Sequence, residues 1–149
     1  MPHGKLSVSD EIRSELLNIL IGSRAKQNSL FEKYQLNSEK INDITQIKSN
    51  NNTILLWEII YFVSSGILSG RNTSVSDIYL SLGVSKSTAI RCVTLLDTFG
   101  IFEKSRDPSD RRRAVIALSR EFRKNFIEYL DAILSQLDEM TKLPRDPLA

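Results

Sequence analysis

Apolar spacing along the chain lays out its elements. From Ser9 onward Ile12, Leu16, Leu17, Ile19 and Leu20 recur at helical intervals, with Asp10 and Glu11 in the first turn, where the helix dipole favours acids. This predicts an amphipathic helix, weakened or ended near Gly22. Leu36, Ile41, Ile44 and Ile47 predict a second, shorter helix opened by Asn37 or Ser38, and the polar run of residues 49–53 predicts a loop. Residues 53–68, TILLWEIIYFVSSGIL, are apolar nearly all round, the pattern of a helix buried on most sides. Ile59 to Val63 taken alone would suit a strand, but the length of the run and its lack of alternation favour a helix. A turn follows at residues 69–72, SGRN. The last long element begins after Ser119, an N-cap with Glu121 in the first turn. Its apolar residues Phe122, Phe126, Leu130, Ile133, Leu137 and Met140 step by three and four, close to the repeat of about 3.5 residues of a helix seam that packs on a partner helix. The proline-containing tail LPRDPLA ends it.

Between these helices lies a denser signal. Ser74 and Asp77 have capping-box spacing, Ile78 and Leu82 form the inner face of a short helix, and Gly83 suits the left-handed residue that ends one. Ser85 caps a second helix with inner positions Ala89, Val93, Leu96 and Phe99. Two helices joined by a short turn containing glycine are the helix-turn-helix signature. The second helix places Ser85, Lys86, Ser87, Thr88 and Arg91 at its start and outer face, short hydroxyls beside cations, a composition suited to phosphates and base edges. A plain helical corner with a wet polar side would share the pattern.

Residues 101–118 then predict a hairpin, from Ile101-Phe-Glu-Lys104 to the β-prone return of Ala114 to Leu118, with SRDPSDRRR at its tip. A basic hairpin directly after a helix-turn-helix is a winged helix, in which the second helix enters the major groove and the wing reaches backbone and minor groove. The fold class expected is therefore mainly α with a small β-hairpin wing.

Charge strengthens this reading. The net charge is only +2, yet residues 85–124 hold ten Lys or Arg against five Asp or Glu, and the remainder of the chain is mildly acidic. Cys92 is the only cysteine and His3 the only histidine, which removes intramolecular disulfides, cysteine zinc sites, histidine triads and multi-histidine metal sites. With no nucleotide-binding loop or nucleophile–base set either, no catalytic residue, metal or cofactor is expected. The longest apolar run is far short of a bilayer span and the first residues carry no apolar signal core, so a cytoplasmic protein without membrane contact is expected.

Residues 74–119, through LGVSKSTAIRCVTLLDTFGIFEKSRDPSDRRRAVIALS, resemble the MarR family of bacterial transcriptional regulators, whose wing carries Asp, two residues, Asp-Arg-Arg and a strand closing on Leu-Ser or Leu-Thr. The flanks are similar only in helical layout. The resemblance implies one MarR-like domain over 1–149: N-terminal helices at about 9–68 for dimerisation and support, the winged helix-turn-helix at 74–118, and a C-terminal dimerisation helix at 119–142. It implies a homodimer on pseudo-palindromic double-stranded DNA, responsive in some members to a small-molecule effector of unknown identity. Asp107 and Asp110 would brace the wing, Asp110 pairing with a neighbouring arginine, while Arg111 or Arg112 enters the minor groove. A carboxylate holding a guanidinium in a fork reduces the entropy lost on docking, and a narrow minor groove attracts arginine. Lys104 and Arg106 suit phosphates. Arg113, where the family often turns apolar or neutral, faces either phosphate or solvent.

Further departures sharpen the expectations. Tyr79 replaces a usual small alanine and Ala89 a usual larger residue, which suggests a compensating exchange of volume. Ile90 either meets a thymine methyl or packs inside. Cys92 is a core filler or a redox sensor, and Trp57, Tyr61 and Phe62 are core or the lining of an effector pocket. The alternative function is a winged-helix module that contacts protein or RNA without sequence-specific DNA binding.

Overall fold

The computed structural model describes residues 8–45 and 51–142. Among them, in order, stand α1 (Val8–Glu32), α2 (Ser38–Thr45), α3 (Asn51–Leu68), α4 (Val75–Leu82), α5 (Lys86–Thr98), β1 (Phe102–Arg106), β2 (Ala114–Leu118) and α6 (Arg120–Thr141). The protein is mainly helical with one antiparallel hairpin, and no described helix is long and apolar enough to cross a membrane. The chain divides into two compact units, Phe31–Lys124 and, separately, Met1–Leu30 with Asn125–Ala149.

The larger unit is built on α3. Leu56, Ile59, Ile60 and Val63 are fully buried, and the Trp57 ring stacks on Phe31 with centroids 4.5 Å apart. The segment after α3 packs against it at a glycine. A Cβ on Gly66 would lie 2.5 Å from the Thr73 hydroxyl oxygen, so a side chain there requires Thr73 to give way. Thr73 in turn bridges to β2, its carbonyl accepting from the Ile116 N–H at 2.7 Å. Ile78 of α4, five residues of α5, Ile101 and Phe102 complete this core. Asn37, not Ser38, opens α2 through its side-chain oxygen, which accepts from the Lys40 N–H at 2.9 Å. Ile41 is buried, while Ile47 and the Ile44 side chain lie outside what is described.

Two expected boundaries move. α1 does not stop at Gly22 but runs ten residues further to Glu32, closing where Gln35 takes a left-handed φ of 59°. One glycine costs about 1 kcal/mol, too little to end a helix whose next residues, SRAKQ, are mostly good helix formers. α3 begins at Asn51, inside the polar run expected to be a loop. Its first turn tolerates asparagines because those N–H groups have no intrahelical partner in any case. The rest of that loop expectation, and the C-terminal tail, fall outside the described residues.

In the smaller unit the Lys26 ammonium donates to the Gln136 side-chain oxygen at 3.0 Å, tying α1 to α6. Leu17, Leu20 and Ile21 on α1, and Ile127 and Leu134 on α6, are exposed, Ile21 by 75%.

Candidate nucleic-acid interface

The helix-turn-helix is fixed by its caps. The Ser74 hydroxyl accepts from the Asp77 N–H, and the Asp77 carboxylate accepts from the Ser74 N–H at 2.9 Å, which completes the capping box read from the sequence. α4 ends at Gly83, whose φ of 66° is left-handed, and Ser85 caps α5 by accepting from the Thr88 N–H at 3.1 Å. The same Ser85 hydroxyl donates to the Thr88 hydroxyl at 2.8 Å. Two of the five hydroxyl and cationic residues assigned to this helix are thus occupied in starting it.

What α5 offers to solvent follows from its period. Ala89, Cys92, Val93 and Leu96 are buried, and the opposite stripe of Ser87, Ile90, Arg91 and Thr94 is exposed, with Lys86 beside it. Thr94 belongs to this face and the sequence reading missed it, although its spacing of seven from Ser87 marks it. Ile90 is 43% exposed, which decides between its two readings in favour of the outer face. Cys92 is buried, and burial pushes its thiol up to about 11, so little reactive thiolate forms near neutral pH and the core-filler reading holds. Ala89 is fully buried while Tyr79 is half-buried, so only part of the tyrosine ring takes up core volume.

The wing pairs Phe102 with Leu118, Lys104 with Ile116 and Arg106 with Ala114. Lys104 and Arg106 lie on one side of β1 and both are exposed. Two side-chain turns shape the tip. The Asp107 carboxylate accepts from the Ser109 hydroxyl at 2.7 Å and the Ser109 N–H at 2.9 Å, and the Asp110 carboxylate accepts from the Arg112 N–H at 3.1 Å. The hydrogen bonds from Ser109, hydroxyl and backbone, hold the Asp107 carboxyl below its ordinary value. Asp110 therefore shapes the backbone and pairs loosely with a neighbouring arginine, Arg112, whose Nε stands 4.0 Å from its carboxylate. Arg111 and Arg112 project into solvent, the Arg112 side chain by 97%.

Arg113 departs from what its sequence suggested. Its side chain, 39% exposed, turns back onto α4, where its guanidinium donates to the Asp77 carboxylate at 2.5 Å and to the Asn72 carbonyl at 3.1 Å, with Asp107 at 3.9 Å. Asp77 thus serves the α4 cap and the wing together. Partial burial works to raise its carboxyl, but the hydrogen bonds from Ser74 and the guanidinium of Arg113 outweigh it and hold the group below its ordinary value. The tie borders an open cleft of about 510 Å³ that is also lined by Phe62, Arg71 and Ser81. Of the aromatic residues considered for a pocket, Phe62 lines this cleft, Trp57 is core and Tyr61 is exposed. No group of three metal-ligating side chains occurs among the described residues.

No protein-family model matches the chain, and no curated protein does. Solved structures do. A mutant of MepR from a multidrug resistant S. aureus clinical isolate is 15% identical at a TM-score of 0.53, over 93% of this chain and 81% of its own. The transcriptional regulator Tm0710 from Thermotoga maritima is 14% identical at 0.51, over 89% and 79%. AbsC, a MarR family transcriptional regulator from Streptomyces coelicolor, is 13% identical at 0.48, over 93% and 81%. What this chain shares with MepR and Tm0710, at this identity, is the fold: mainly helical, with a winged helix-turn-helix.

Proposed function

We propose that this protein is a sequence-specific regulator of transcription that binds double-stranded DNA as a homodimer on a pseudo-palindromic operator. The observation that carries the proposal is the paired basic surface. The outer stripe of α5, with Lys86 and Arg91, and the wing, with Lys104, Arg106, Arg111 and Arg112, leave six cations in solvent on one unit. Arg113 is withdrawn from this set and acts as a brace. The α5 stripe serves the major groove, the wing tip the minor groove, and the two strand cations the phosphates. Exposed leucine and isoleucine side chains on α1 and α6 support the dimer, because apolar surface left on two helices of one unit marks an association face. Two recognition helices would then stand about 34 Å apart on one face of the duplex. A small-molecule effector fits the cleft beside the Arg113 tie, where binding would act on the wing directly.

Selection of bound fragments from random duplex DNA tests the reading. A palindromic consensus is expected, with binding that weakens steeply as salt rises. Binding that ignores both sequence and salt would reject it in favour of protein or RNA contacts.

A further inference from the structure

The outer stripe of α5 carries one apolar side chain among polar ones. Ser87, Arg91 and Thr94 share the face with Ile90, and Lys86, Asp97 and Thr98 complete the exposed residues of the helix. Scattered apolar residues on a surface need no explanation by themselves. Here it is the part of the isoleucine left in solvent that calls for a reason. The side chain is 43% exposed, at the border between the outer stripe and the inner face on which Ala89 and Val93 have no exposed surface. A β-branched residue is also a poorer helix former than the leucine, lysine or glutamine that would serve a solvent position.

Placement supplies a reason. Ile90 lies one turn beyond Ser87 and directly before Arg91, in the first half of a helix whose N-terminal part faces the base edges when it enters a major groove. There the one apolar feature among the donors and acceptors is the thymine 5-methyl group. We propose that Ile90 is a specificity-determining residue that selects thymine at one position of each half-site by burying that methyl against its side chain. The inference rests on the DNA-binding reading above.

The experiment uses the full-length protein and a duplex selected from random sequence. Each thymine is replaced in turn by deoxyuridine, which removes the methyl and leaves every hydrogen-bonding group in place. Affinity is measured for the unaltered protein and for Ile90→Ala, with thermal melts of both showing that the variant is folded. One thymine per half-site is expected to lose about fourfold in affinity on replacement, the transfer energy of one methyl-sized group. Ile90→Ala is expected to bind the thymine and deoxyuridine duplexes alike. Indifference of the unaltered protein to every replacement overturns the assignment to Ile90 and leaves DNA binding standing, as does a loss that persists in Ile90→Ala. Failure to enrich any duplex rejects the DNA-binding reading, and the assignment with it.

Discussion

Three consecutive arginines in the wing have two different environments. Arg111 and Arg112 extend into solvent, Arg112 with Asp110 as a loose partner, and Arg113 is held by Asp77 and the Asn72 carbonyl. Replacing Arg111 or Arg112 by alanine is expected to weaken DNA binding at least about tenfold, roughly 1.4 kcal/mol, with the oligomeric state unchanged by sedimentation. Unaltered affinity in both variants at moderate salt would remove the wing from the interface. Asp77→Asn has a different signature, because the folded carboxyl sits below its ordinary value of 3.8. A depressed folded pKa contributes stability that is fully present above the unfolded value and is lost as pH falls through the folded one. The variant is therefore expected to be less stable than the parent by a constant margin from about pH 5 to 8, on the order of 1 kcal/mol for a partly exposed pair. That margin should shrink below about pH 4, as thermal melts across the range would show. The local residues of the capping box were legible in the sequence, since i to i+3 spacing suffices to name Ser74 and Asp77. Arg113 was not, because its partners Asp77 and Asn72 lie 36 and 41 residues away and only the folded hairpin brings them together.

At the scale of elements, the contact between α3 and the segment that follows it is close at Gly66, against the Thr73 hydroxyl. Gly66→Ala drives a methyl into the Thr73 hydroxyl, so the side chain of Thr73, whose backbone pairs with Ile116 of β2, must turn away or the contact must open. Overpacking of this kind costs typically about 1–3 kcal/mol, and a lowered denaturation midpoint with an unchanged slope would report it. Nothing in GIL or NTS announces this contact, because close approach is set by tertiary packing and not by periodicity. The helix-turn-helix and hairpin were readable because each has its own punctuation in Ser74, Gly83, Ser85 and Ser119, whose caps are all formed. The far half of α1 was not, for only Leu30 and Phe31 break a polar stretch that propensity carries as helix. On α5 the inner face was named from apolar spacing, yet the outer stripe was incomplete, since threonine at position 94 is chemically neutral to helix prediction.

For the whole molecule, the proposed dimer makes a direct demand on the exposed side chains of α1. Leu20→Glu combined with Ile21→Glu is expected to yield a monomer by light scattering with unchanged helical content, and DNA affinity should fall with the loss of the second half-site. A dimer that survives both charges would place the association face elsewhere. A different consequence follows from the single thiol of the chain, Cys92, buried on the inner side of α5. Because this sulfur is sealed while the larger unit is closed, its alkylation by a small reagent keeps time with the opening of α5 from its core. The protein thus carries its own chemical clock for the stability of the element that the proposed function places on DNA, readable without a label and in the presence or absence of duplex.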